Sequence, residues 1–184
     1  MGAIIVVSFV TLDGVASDPA GLEGTSYGGW AFKFGQGPVS DDKFRVADRT
    51  DVQLYGRRTW EAFARLWPSR DSDFAKVMNA TPKGVATRTG IDASAWSNSE
   101  AIEGDAIAWA AAERARRNVV VIGSLSLVHA LAAADLVDEY RLLTFPTVAG
   151  TGDRLFAEGK PADFRFTSAE LTDVTTLTVL QRAV

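Results

Sequence analysis

A chain of 184 residues, 47% hydrophobic and 23% charged, can bury one substantial core and lies in the ordinary size range of a single domain. Its net charge of −4 and scattered basic residues argue against a general nucleic-acid surface, because neutralising phosphates requires a basic face. Cysteine is absent, which excludes disulfides, thiolate nucleophiles and cysteine zinc sites and suits a reducing cytoplasm. The single histidine, His129, rules out a multi-histidine metal site, and no G-x-S-x-G turn presents a serine to it.

In chain order, Ala3 to Val10 is an apolar run without a basic leader or cleavage motif, too short to cross a bilayer, and is expected to form a buried strand. Val6 stands where a myristoylation signal would carry serine or threonine. The segment from Asp13 to Pro38 has no periodicity. Its glycines alternate with Tyr27, Trp30, Phe32 and Phe34, which are too apolar for a solvated tail, so it reads as a lid or an aromatic wall. Val52 to Tyr55 is a second strand. Trp60, Phe63 and Trp67 then fall at i, i+3 and i+7 of a core-facing helix that must end before Pro68. Gly84 to Thr87 is a third strand, followed by a helical stripe of Ile102, Ala106, Trp109 and Ala110, with Glu113 and Arg117 as a surface pair. Val119 to Ile122 is a strand, Leu127, Val128 and Leu131 mark a helix that carries His129, and Glu139 to Phe145 is a strand. Phe164 to Leu171 and Val174 to Leu180, separated by Thr172-Asp173, form a hairpin. The pattern predicts one α/β domain over residues 1–184. Its sheet is mixed and mostly parallel, with helices on both faces and an antiparallel C-terminal hairpin.

The most informative stretch is Leu54-Tyr55-Gly56-Arg57-Arg58-Thr59-Trp60-Glu61, where a strand hands over to a helix through a glycine and two arginines. Gly56 can take positive φ or admit a ligand to the backbone, the helix offers free N–H groups and the positive end of its dipole, and Arg57 and Arg58 add charge-assisted donors. The plain alternative is a turn with solvated arginines. Asp13, after the first strand, is a candidate proton donor or substrate anchor, or else the carboxylate of an Asp-Gly turn bonded to local backbone. Trp30 could stack on a flat heterocycle or plug a core edge. Asp138 and Glu139 are strand neighbours that point to opposite faces and read as structural or as a subunit contact. Gly150 and Gly152 read as shaping a turn.

Four segments each follow a strand, where open α/β sheets bind ligands: Leu12-Asp13-Gly14, Gly56-Arg57-Arg58-Thr59, Thr87-Arg88-Thr89 and Ile122-Gly123-Ser124. In order with Trp67-Pro68, Met78-Asn79, Pro82-Lys83, the run Asp135 to Tyr140, Phe145-Pro146 and Gly150 to Phe156, the chain resembles the dihydrofolate reductase fold. More closely it resembles the reductase domain of the bifunctional riboflavin-biosynthesis deaminase-reductase, in the stand-alone subgroup often described as dihydrofolate reductase family proteins. The resemblance implies a three-layer fold and NADPH as cofactor. Gly56, Arg57, Arg58 and Thr59 match its phosphate-contacting motif, and Thr87, Arg88 and Thr89 match the loop around the adenosine 2′-phosphate. Gly123 and Ser124, with Leu125 after them, match the glycine pair beside the pyrophosphate and nicotinamide.

Two departures bear on the substrate: Ile122 stands where the riboflavin-pathway reductase has glutamate, and Ser124 replaces its second glycine. No deaminase H-x-E with C-x-x-C can exist without cysteine. The acid of true dihydrofolate reductases has only Asp41, Asp42 or Asp48 as candidates, none in a matching motif. The expectation is an NADPH-dependent oxidoreductase acting on a small heterocyclic or pterin-like substrate, resembling 5-amino-6-(5-phosphoribosylamino)uracil reductase. The alternative is a non-catalytic NADPH-binding or scaffold protein, and true folate reduction is the weaker fit. A cytoplasmic homodimer without metal, membrane or nucleic-acid partner is expected, the dimer from the apolar C-terminal hairpin and the strand after Leu136.

Overall fold

A computed structural model describes residues 1–35, 52–156, 159 and 161–183. The chain packs as two compact units, Met1–Val6 with Val46–Val137, and Val7–Arg45 with Asp138–Val184. Strand β1, Ile4–Thr11, gives its first three residues to one unit and the rest to the other.

In the first unit β1 joins β2 (Val52–Gly56), β3 (Lys83–Ala86), β4 (Ser99–Ala101) and β5 (Val119–Gly123). The order is β4-β3-β2-β5-β1 and every pairing is parallel. Leu54 pairs with Gly84 on one side and Val121 on the other. All five residues of β2 are buried, as expected for a central parallel strand covered on both faces. The α-helices among its described residues are α1 (Arg57–Ala64), α2 (Asp73–Ala80), α3 (Ala106–Arg114) and α4 (Leu125–Ala133). An aromatic core of Tyr55, Trp60, Trp67, Phe74 and Trp96, with Met78 and Val85, lies within this unit, and the rings meet mostly edge to face, as for Tyr55 on Phe63 and Trp67 on Phe74. Gly84 has no room for a side chain, since a Cβ would come within 2.6 Å of the Trp109 indole.

The second unit has β1-β6-β8-β7 as its strand order, from β6 (Glu139–Phe145), β7 (Phe164–Leu171) and β8 (Thr176–Arg182), with β8 antiparallel to both neighbours. Phe145 is fully buried among Phe9, Trp30 and Phe34. Mostly parallel pairing, helices and an antiparallel C-terminal hairpin are the arrangement expected from the sequence.

Several details differ from the sequence reading. Helix α1 ends at Ala64, and Trp67 follows in a turn whose N–H donates to the Phe63 carbonyl at 2.9 Å, so Trp67 reaches the core without being helical. Helix α3 starts only at Ala106, because Asp105 caps the Ile107 N–H at 2.8 Å and leaves Ile102 outside. Glu113 is not a surface residue. Its side chain is buried and bonds both Arg116 and Arg117. Helix α2 and the three-residue β4 were not anticipated. The hairpin turn is longer than two residues, since β8 starts at Thr176 and Thr172 and Thr175 close the turn through their hydroxyls at 2.8 Å.

Within the described part of the glycine-rich segment, hydrogen bonds internal to it and to Asp153 hold the chain. The Asp18 carboxylate accepts from the N–H groups of Glu23 and Thr25 and from the Thr25 hydroxyl at 2.7 to 3.1 Å. Gly37, Pro38, Asp41, Asp42 and Asp48 lie outside the described residues.

Candidate functional site

Strands β2 and β5 are neighbours, with Tyr55 opposite Gly123, and each ends in a glycine from which a helix starts almost at once. Neither α1 nor α4 has a side-chain N-cap. The other two helices do, from Ser72 to the Ala75 N–H at 3.2 Å and from Asp105 to the Ile107 N–H at 2.8 Å. Ser124 occupies the N-cap position of α4 and is of a capping residue type, yet its hydroxyl pairs with Ser126 at 3.0 Å. The first N–H groups of both helices therefore lack a side-chain acceptor, an arrangement of the kind that suits an anion at the positive end of a helix dipole.

The glycines make this juncture possible through space. Gly56 is extended, at φ −75° and ψ 151°, so the positive φ that its sequence allowed is not used. A Cβ there would instead overlap the Ser124 side chain. Gly123 has φ +137°, and the Gly123–Ser124 peptide is cis. A Cβ on Gly123 would lie 3.0 Å from the Thr59 hydroxyl. Gly56, Thr59, Gly123 and Ser124, far apart in sequence, thus form one small cluster.

Beside it, the Arg57 Nε donates to Glu61 Oε1 at 2.7 Å, and its Nη1 contacts the Thr89 hydroxyl. The loop after β3 is turned by Thr87, whose hydroxyl accepts from the Thr89 N–H and donates to the Gly90 carbonyl, both at 3.2 Å. Between α1 and this loop opens a pocket of about 470 Å³. One wall is Arg57, Trp60, Glu61, Ala64 and Arg65, and the other is Thr89 to Asp92 with Ala95. Asp92 is held below its usual pKa by the Ser94 hydroxyl and N–H, so it is a carboxylate at neutral pH. Arg58 and Arg88 are exposed, and neither lines the pocket. The sequence reading missed Glu61, Arg65, Ile91, Asp92 and Ala95 as lining residues. The spacing of Arg57, Glu61 and Arg65 at i, i+4 and i+8 could have found the first two, since such residues share a helix face.

The remaining candidates lie in the second unit. The Asp13 carboxylate accepts from the Thr11 hydroxyl at 2.6 Å and from the N–H groups of Ala149 and Gly150 at 3.1 and 2.8 Å. These bonds, that of Thr11 foremost, lower its pKa to about 2. The carboxylate thus ties the Asp-Gly turn to the distant backbone of Ala149 and Gly150 and not to local backbone, and an ionised Asp13 has no proton to give at neutral pH. Trp30 is 1% exposed, donates its indole N–H to the Ser17 carbonyl at 3.0 Å, and packs edge-on against Phe145, which is the core-plug alternative. Glu139 bonds Arg141 and Gln181 within its own sheet, and Asp138 accepts the Arg182 N–H through its carbonyl. Gly152 has φ +121°, and a Cβ there would meet Tyr27 and Val15 at 2.8 Å. Among the described residues no cluster is suited to hold a metal ion, and no helix is long and apolar enough to cross a membrane.

The chain belongs to the RibD C-terminal domain family, whose profile matches residues 3–180. Solved structures share the fold. A protein described as belonging to riboflavin biosynthesis from Shewanella sp. PV-4 is 23% identical with a TM-score of 0.75, each chain covered to 99%. A pyrimidine reductase-like protein from Corynebacterium diphtheriae is 12% identical with a TM-score of 0.66, over 100% of this chain and 92% of that one. The diaminohydroxyphosphoribosylaminopyrimidine deaminase/5-amino-6-(5-phosphoribosylamino)uracil reductase of Thermotoga maritima is 16% identical with a TM-score of 0.65, over 99% of this chain and 57% of that one. A search of curated protein sequences finds no match.

Proposed function

We propose that the protein is an NADPH-dependent reductase of a small heterocycle, of the kind named for its structural relatives as pyrimidine or 5-amino-6-(5-phosphoribosylamino)uracil reductase. The observation that carries this reading is the pair of uncapped helix starts at adjacent strand ends beside the Arg57–Thr89 contact. The cluster fits a dinucleotide: two backbone N–H cradles suit a pyrophosphate, and the side-chain space given up at Gly56 and Gly123 lets an anion approach the backbone. The Arg57 guanidinium and Thr89 hydroxyl suit the 2′-phosphate. Bound there, NADPH would supply the hydride, and these residues bind and orient it. Arg58 and Arg88, exposed at the two loops, add longer-range attraction. We place this chemistry in a cytoplasmic homodimer.

Oxidation of NADPH followed across a panel of pyrimidine and pterin heterocycles tests the reading. Turnover with one of them is the expected result. Tight NADPH binding with no turnover across the panel would favour a nucleotide-binding module instead. Arg57→Ala is expected to weaken NADPH binding about ten- to a hundredfold while leaving NADH nearly unchanged, since a charge-assisted hydrogen bond contributes about 1.5 to 3 kcal/mol. Titration of both cofactors checks it, and equal wild-type affinity for NADH and NADPH would remove the 2′-phosphate assignment.

A further inference from the structure

Resting on that reading of the pocket, we propose that Glu61 is a specificity-determining residue that limits how strongly the site prefers a doubly charged 2′-phosphate over a 2′-hydroxyl. Arg57 and Glu61 lie four residues apart on α1, Arg65 is its C-cap residue four further on, and all three line the pocket, with Asp92 on the opposite wall. Two guanidinium groups and two carboxylates leave the pocket without formal net charge. The arginines that would attract a dianion are offset by groups that repel it.

Glu61 acts in two opposed ways, and the geometry separates them. Its Oε1 takes the Nε–H of Arg57 at 2.7 Å, while Thr89 takes one Nη1 donor. A guanidinium has five N–H donors in a rigid fork, so these two contacts fix the group and leave donors for an anion. That orienting role needs an acceptor oxygen, not a charge. The charge itself lies within one guanidinium width of any anion that Arg57 holds, and the side chains of Arg57 and Glu61 are 46% and 38% exposed, so water damps the repulsion without removing it. Toward a neutral 2′-hydroxyl the same carboxylate costs nothing.

Glu61→Gln keeps an acceptor for the Arg57 Nε–H and removes the charge. Calorimetric titration with 2′,5′-ADP and with 5′-AMP is expected to show the variant binding 2′,5′-ADP about three- to tenfold tighter, with 5′-AMP unchanged. The gain should shrink at high salt. Glu61→Ala, which removes orientation as well, is expected to gain less than Glu61→Gln. An unchanged ratio of the two affinities in Glu61→Gln, or weaker 2′,5′-ADP binding, would overturn the proposal while leaving the pocket assignment intact. A wild-type protein that shows no preference for 2′,5′-ADP over 5′-AMP would overturn the assignment, and the proposal with it.

Discussion

Lys83 buries an ammonium group at 1% exposure, and among the described residues no carboxylate pairs with it. Three backbone carbonyls, of Asn79, Thr81 and Ser97, accept its protons at 2.6 to 3.2 Å, and the Trp96 ring lies 4.5 Å away. Two of those carbonyls sit at the C-terminal end of α2, where a cation meets the negative end of the dipole. Lys83→Met would leave the carbonyls short of a donor and is expected to cost about 1 to 3 kcal/mol, measurable by urea unfolding; an unchanged midpoint would refute the role. Burial lowers this pKa from 10.5 to about 8. Between those values the unfolded chain holds a proton that the folded chain has released, so Lys83 makes stability rise with pH across that window. The variant should lose that rise. Asp13 shows the same sign in the acid range, because its folded-state pKa is also the lower one. With a folded value of about 2 against an ordinary 3.8, its contribution is present above about pH 4 and is lost as pH falls toward 2. A carboxylate NMR titration with its midpoint near 4 would contradict the turn geometry.

At the scale of elements, two of the glycines without room for a side chain make separate predictions. Gly84→Ala would press a methyl into the Trp109 indole and is expected to destabilise by about 1 to 3 kcal/mol, read from thermal or urea unfolding. Gly56→Ala is expected to cost a similar amount, and Ser124→Gly should recover part of it by removing the side chain that the methyl meets. Additive costs in the double variant would count against the close approach. The five short apolar runs were legible because turn residues bound them. Ser99–Ala101 was not, because Ser, Glu and Ala carry no strand pattern, and the pairing with β3 comes from the neighbour. Helix α2 announced itself only through Ser72 as a cap, its apolar positions Phe74, Ala75 and Met78 being too few to show a period. In the site, the glycines and Arg57 were legible as a motif. The pocket wall was not, since Ile91, Asp92 and Ala95 reach it through a loop whose course is set by Thr87 and Gly90 hydrogen bonds.

At the scale of the whole molecule, β7 ends the strand order with Phe166 71% and Leu171 84% exposed. An edge strand with apolar side chains in water invites a second copy. Sedimentation at micromolar concentration is expected to give twice the 19.7 kDa of one chain, and Phe166→Lys is expected to shift that species toward the monomer. A wild-type protein that sediments only as a monomer would remove the dimer. The capping pattern also has a thermal consequence. A side-chain N-cap bond is worth up to about 1 kcal/mol, and less where glycine stands at the cap, and α1 and α4 both go without one. The free protein therefore melts earlier than its core would permit, and an anion seated at the two helix starts completes them as a serine or aspartate would. A ligand at a hundred times its Kd adds about 2.7 kcal/mol, which for a chain of this size is roughly 5 to 10 °C in Tm. Selection for heat resistance has little to work with at either position, since Gly56 has no room for a side chain and Ser124 is already of a capping type, so the thermal gain stays tied to the cofactor.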